Sequence, residues 1–171
     1  MKRLFVLRHA KSAWEDAGLA DHDRPLAPRG KRAAAVMGRH ILESAMMPDL
    51  ILCSTARRAT ETRAVVVAQW GRNPPTEYDR GLYLTGKQGV IKRLAQVQDD
   101  RKAVMVVGHN PDLQRLVLRL GAKSDAQATR RIEEKFPTAA LAVIDLPIDR
   151  WPEVSTATGR IVEYTTPRDL A

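Results

Sequence analysis

The apolar positions divide the chain into short unbroken runs and longer periodic segments. Leu4-Phe5-Val6-Leu7, Leu50-Ile51-Leu52-Cys53 and Ala103-Val104-Met105-Val106-Val107 are continuous runs, the pattern of parallel strands covered on both faces. Between them the spacing becomes helical. Pro28 suits the first turn of a helix running from Arg29 to about Ala45, in which Ala33, Val36, Met37 and Ile41 share a face. A second helix is predicted over Ala56–Trp70, ended by Gly71 and turned by Asn73-Pro74-Pro75. Thr76-Glu77-Tyr78 reads as a short strand, and Lys87–Gln98 as a helix with Val90, Ile91, Leu94 and Ala95 on one face. Asn110 as N-cap, Pro111 at the first helical position and Asp112 near the positive end of the dipole predict a fourth helix through Leu120. A polar stretch follows Gly121. Then Ala139–Leu146 and Thr156–Thr165 read as two strands joined without a helix, the second interrupted by Gly159. This order predicts a single α/β domain over residues 1–171. It has three layers, α/β/α, around a mostly parallel central sheet with an antiparallel edge.

Composition narrows the classes. With 171 residues and 44% hydrophobic positions the chain can fill a core. No apolar run approaches the ~20 residues that span a bilayer, and the N-terminal apolar stretch is too short for a signal peptide. The single cysteine, Cys53, permits no intrachain disulfide and no zinc-ligand cluster. A cytoplasmic protein without metal or cofactor is the expectation. The oligomeric state is left open, a monomer being compatible.

Charge supplies the first functional lead. Lys and Arg number 28 against 20 Asp and Glu, a formal charge of +8. Such a surplus suits nucleic acid, an acidic membrane face, or an anionic substrate or partner. The basic residues are interleaved with acids, as in Arg130-Arg131-Ile132-Glu133-Glu134-Lys135, and aromatics make up only 5%. Both observations argue against nucleic acid.

In open α/β sheets, ligands bind beyond the carboxyl ends of the strands. Arg8 and His9 follow the first strand; Ser54, Thr55, Ala56, Arg57 and Arg58 follow the second; Gly108, His109 and Asn110 follow the central one. The predicted fold thus sends two of the four histidines, with arginines beside them, to one sheet edge. Taken singly, each is a polar loop residue. Together they suit a phosphoryl group, because Arg offers a planar fork to two oxygens, helix N-termini offer N–H donors, and neutral imidazole can be a nucleophile.

These residues carry a resemblance. Leu7-Arg8-His9-Ala10 resembles the Arg-His-Gly signature of the histidine phosphatase superfamily, the phosphoglycerate-mutase-like enzymes. Arg58-Ala59-Thr60-Glu61-Thr62 resembles its second motif, Gly108-His109-Asn110 its third, and Asp23-Arg24-Pro25-Leu26 with Gly30 the approach to its first helix. The small size and the Gly-His-Asn-Pro form look most like the SixA-type phosphohistidine phosphatases. The resemblance implies a metal-independent phosphatase in which His9 is the nucleophile and forms a phosphohistidine intermediate. Arg8, Arg58 and His109 would hold the phosphoryl oxygens. The implied partner is a phosphohistidine protein or a small phosphate ester.

Two departures bear on substrate. Ala10 stands where the signature has Gly. The acid that protonates the leaving group in many relatives has no clear counterpart. Glu77 and Asp79 lie in the right part of the chain, and each also reads as a surface carboxylate at a strand end. An alkoxide leaving group needs a proton donor; the imidazole of phosphohistidine can take its proton from solvent.

Lys11, Ser12 and Trp14 either rim the pocket or form a surface loop. Arg57 reads as a rim contact or a solvated helix residue. His22, within Asp21-His22-Asp23, reads as a solvated loop residue rather than a metal ligand, and His40 as a surface or edge residue of the first helix. Cys53 does not fit the Cys-x5-Arg pattern of cysteine-dependent phosphatases, since Arg58 comes one residue too early. No Gly-x4-Gly-Lys-Ser/Thr loop is present. Beyond the phosphohistidine reading, a small-molecule phosphomonoesterase of the same family and a non-catalytic phosphate- or phosphoprotein-binding module remain, with a sugar-phosphate mutase weakest because no long insertion forms a lid.

Overall fold

A computed structural model describes residues 1–44 and 46–171. The three continuous apolar runs form strands β1 (Lys2–Arg8), β2 (Leu50–Ser54) and β4 (Ala103–Gly108), and β3 (Thr76–Asp79), β5 (Leu141–Leu146) and β6 (Arg160–Thr165) complete one sheet in the order β3-β2-β4-β1-β5-β6. The first four positions of that order pair in parallel, whereas β5 runs antiparallel to both β1 and β6. The antiparallel strand is therefore second from the edge, with β6 outside it.

Helices cover both faces. On one side, α1 (Pro28–Glu43) and α2 (Arg57–Ala68) bury Met37, Ile41 and Val66 against Phe5, Leu7, Ile51, Met105 and Val107. On the other, α3 (Gly86–Leu94), α4 (Asp112–Leu120) and α5 (Ala126–Glu134) bury Leu94, Leu116, Leu120 and Ile132 against Leu4, Val6, Leu52, Val104 and Val106. Alternate residues of β1 and β4 point into opposite cores, as strand pleating requires, and both cores are apolar because both faces are covered.

Several predicted boundaries shift for local reasons. The expected end of the first helix at Ala45 lies outside the described residues. In α4 the N-cap position falls to Pro111, and Asn110 precedes it, its side-chain oxygen accepting from the Gln114 N–H at 3.3 Å. The expected strand start at Ala139 moves to Leu141. Ala139 has φ 61°, and its N–H donates to the carbonyls of Arg8 and His9 at 3.1 and 3.0 Å. The stretch read as merely polar holds α5, anchored by the buried Ile132 and capped by Asp125. Gly159 precedes β6 instead of interrupting it, and a Cβ there would lie 2.2 Å from the Asp145 carbonyl oxygen. No helix is long and apolar enough to cross a membrane among the described residues.

Candidate active site

Strand register brings the two motif histidines together. Arg8 pairs with Gly108 across β1 and β4, so the next residues, His9 and His109, leave the sheet side by side. Their ring centroids are 5.2 Å apart. The His9 N–H donates to the Gly108 carbonyl at 3.0 Å, tying the end of β1 to β4. Arg58 enters from the first turn of α2, immediately after β2. With Arg8, these residues line a pocket of about 340 Å³, together with Lys11, Ser12, Trp14, Arg24, Leu84, Asn110 and Thr138.

The histidine geometry fixes a tautomer. His9 Nδ1 lies 2.7 Å from the Ala10 carbonyl oxygen. A carbonyl only accepts, so Nδ1 carries the proton and Nε2 keeps its lone pair. Burial pushes the His9 pKa down to about 4, with Arg8, Arg58 and Arg24 adding to the effect. His109 Nε2 is 2.7 Å from Ser54 Oγ, and burial, followed by His9 and Arg58, lowers its pKa to about 3. Both rings are neutral at physiological pH.

The cations are held from behind. Arg58 donates to the Asp21 carbonyl at 2.7 Å and to Asp21 Oδ2 at 3.0 Å. Tyr83 donates to the same carboxylate, and Tyr83 with Arg58 holds the Asp21 pKa down at about 2. Arg8 donates to the Phe136 carbonyl at 3.1 Å, which also accepts from Asn110 Nδ2 at 2.8 Å. Arg8 Nε, Arg58 Nε and His109 Nδ1 are buried with no hydrogen-bond partner among the described residues. Three uncommitted nitrogens on residues lining one pocket suit an oxyanion, since buried polar atoms ordinarily find partners.

The loop after β1 closes one side. Ala10 N–H donates to Thr62 Oγ1 at 2.9 Å, so the second motif's threonine supports the backbone beside His9. Ser12 Oγ accepts from Arg24 Nη1 at 2.9 Å, and Arg24 stacks on Trp14 with its guanidinium 3.4 Å from the ring centroid. Trp14 is nevertheless 70% exposed, a rim residue more than a packed one.

Of the residues singled out in the sequence, His9, Arg8, Arg58, His109, Lys11, Ser12 and Trp14 converge on this pocket. Arg57 does not: it is exposed and paired with Glu61 at 3.2 Å, one helical turn on. Glu77 and Asp79 also lie apart, both engaged by Arg93 at 3.1 Å. His22 is packed rather than solvated, with Nε2 2.9 Å from Thr55 Oγ1 and its ring 5.0 Å from Tyr83. His40 contacts Glu163 of β6 at 2.8 Å. Arg24, Asp21, Tyr83 and Thr138 enter the site's surroundings without having been singled out as site residues. Arg24 stands in the Asp23-Arg24-Pro25-Leu26 stretch that leads to α1; Tyr83 and Thr138 carry no local signal. Cys53 is buried, its thiol pushed up to about 12 by desolvation. Among the described residues, no group of three or more His, Cys, Asp or Glu side chains is arranged to hold a metal ion.

Comparison with known proteins bears on the family and the fold. The pattern of the histidine phosphatase superfamily, branch 1, matches residues 4–83. An uncharacterized protein of Mycobacterium tuberculosis is 40% identical over 164 residues, covering 95% of this chain and all of the relative. The solved structure of a protein from Nakamurella multipartitia, described as a putative phosphohistidine phosphatase SixA, superposes with a TM-score of 0.82 at 27% identity, over 97% of this chain and 96% of the other. One from Agrobacterium tumefaciens with the same description gives 0.81 at 28% identity, over 97% and 98%. On motif order, pocket geometry and these likenesses, the chain belongs to the histidine phosphatase superfamily and is a phosphatase.

Proposed function

We propose that the protein, as a single histidine phosphatase domain, removes phosphoryl groups from phosphohistidine in proteins, with His9 as nucleophile and no metal or cofactor. The observation that carries the reading is the His9 Nδ1–H bond to the Ala10 carbonyl, which leaves Nε2 as a free lone pair in a neutral ring lining a cationic pocket.

His9 Nε2 attacks phosphorus in line. A P–Nε2 bond forms as the P–N bond to the substrate imidazole breaks, and that imidazole takes its proton from solvent. Arg8, Arg58 and neutral His109 donate to the phosphoryl oxygens and stabilise their charge. Water then attacks the phosphohistidine, the P–Nε2 bond breaks, phosphate leaves, and His9 returns to its neutral state after proton exchange with solvent.

The preference for phosphohistidine over an ester rests on the missing acid. No carboxylate lines the pocket among the described residues. Asp21, behind Arg58, is ionised down to about pH 2 and has no proton to give at neutral pH. The SixA assignment of the two solved relatives points the same way.

The test is phosphate release from a phosphohistidine peptide, phosphoramidate, sugar phosphates and p-nitrophenyl phosphate, with chelator present and His9→Ala beside the wild type. The reading expects phosphohistidine to be turned over best, chelator to change nothing, and His9→Ala to be inactive. Full activity in His9→Ala overturns the nucleophile. Turnover of a sugar phosphate with phosphohistidine ignored overturns the substrate.

A further inference from the structure

Beside the pocket lies a larger groove of about 450 Å³ that the phosphoryl chemistry does not use. Its walls carry Lys11, Arg29, Arg131, Lys135 and Arg168 against one acid, Glu134. All five cations are exposed. Arg131 pairs with Asp169 at 3.1 Å, while Lys11, Arg29, Lys135 and Arg168 have no ion pair among the described residues. The floor is shaped by the half-buried Tyr164, whose hydroxyl donates to the Lys135 carbonyl at 2.5 Å and whose ring lies 4.8 Å from the Arg131 guanidinium.

The groove adjoins the pocket, since Lys11 and Thr138 line both. The shared wall is rigidly placed. Gly30 lets the start of α1 sit against Lys11, where a Cβ would come 2.1 Å from the Lys11 carbonyl oxygen, and the Ala27 N–H donates to that oxygen at 2.9 Å. On the other side, Ala139 is bonded to the end of β1. A substrate presenting its phosphoryl group to His9 can lay neighbouring residues along this groove.

We infer that the groove docks an acidic segment flanking the phosphohistidine of the substrate protein, an inference that rests on the phosphohistidine reading above. The charge sign selects an anionic partner. The manner of display selects the kind of anion. The pocket holds oriented arginines, Arg58 buried and Arg8 half-buried, that suit a single phosphoryl group. The groove instead spreads exposed, long-stemmed cations over a wider surface, a screened field that suits several carboxylates on an extended segment.

The experiment compares phosphohistidine peptides whose flanks carry Glu, Gln or Lys, with phosphoramidate as a substrate too small to reach the groove. At low salt the wild type is expected to favour the Glu-flanked over the Lys-flanked peptide by about tenfold in kcat/KM, mainly through KM, and the preference is expected to shrink as salt rises. The double variant Arg29→Glu/Arg168→Glu is expected to erase or invert it and leave phosphoramidate turnover unchanged. The milder Arg29→Gln/Arg168→Gln should reduce it. Indifference of the wild type to flanking charge, or a preference that survives both variants, overturns the inference. A small bisphosphate favoured over its monophosphate only when Arg29 and Arg168 are intact assigns the groove to a second phosphate and also overturns it. Failure on every phosphohistidine peptide, with phosphoramidate or an ester still hydrolysed, overturns the phosphohistidine reading itself.

Discussion

In the pocket, Arg58 is buried and its terminal nitrogens are fixed by Asp21; in the groove next to it, Arg29 and Arg168 are exposed and have no ion pair among the described residues. Both regions are cationic, and Lys11 and Thr138 belong to each. The difference lies in how the charge is supported. Backbone carbonyls and a low-pKa carboxylate hold the pocket cations in one geometry, as charge stabilisation in a transition state requires. The groove cations keep their side-chain freedom, which suits attraction along a surface.

The comparison can be broken first at the pocket. His9→Ala is expected to cost at least about 10³-fold in kcat on every substrate, and phosphate release by the purified variant checks it. Arg58→Ala should cost about 10²–10³-fold, again whatever flanks the phosphoryl group. Charge reversal in the groove must not do that; a variant there that lowers phosphoramidate turnover as much as peptide turnover would erase the distinction.

The shared wall gives a third test. Gly30→Ala forces a methyl against the Lys11 carbonyl, and overpacking of that kind costs about 1–3 kcal/mol. Denaturant unfolding should show the loss, and both phosphoramidate turnover and the acidic-flank preference should decline together. Independent responses would mean that the two regions do not share a support.

A pH series sharpens the contrast in burial. His9 and His109 have folded pKa values of about 4 and 3, below the ordinary value of about 6.5. The unfolded chain therefore binds protons that the folded one refuses. Their stability contribution is complete above about pH 6.5 and is lost as pH falls towards those folded values. Thermal melts from pH 7.5 down to 4 should show a falling Tm, and His109→Gln should make the fall shallower. A series as steep as the wild type would remove His109 from the account. The smallest effect is expected at Cys53: alkylating reagent at neutral pH should leave folded enzyme fully active, because the thiol is buried and protonated.

How much was legible in the sequence depended on whether a residue's place follows from its own segment. Strands β1, β2 and β4 announce themselves as continuous apolar runs, and the fold rule then puts Arg8, His9, Arg58 and His109 at one edge. Helix α5 does not, since Ile132 is its one buried residue and no repeating set of apolar positions marks the segment. The surroundings of the site were harder still. Asp21 reaches Arg58 and Tyr83, and Ser12 forms an isolated bridge with Leu26, through a loop whose course no local spacing encodes. Glu77 and Asp79 lie in the part of the chain where the resemblance looks for an acid, yet both pair with Arg93 on α3 and neither lines the pocket.

The reversed direction of β5 has a practical reach for anyone wishing to retarget the enzyme. In a purely parallel sheet, only segments leaving strands meet the catalytic edge. Here the segment entering β5 meets it too, and it supplies Phe136, Thr138 and Ala139. That segment can be re-sequenced or lengthened between α5 and Phe136 without touching the strands that lead to His9 and His109. Loop grafting at Lys135, with the Phe136 carbonyl and the Ala139 turn kept, offers a route to new substrate flanks on an unchanged pocket.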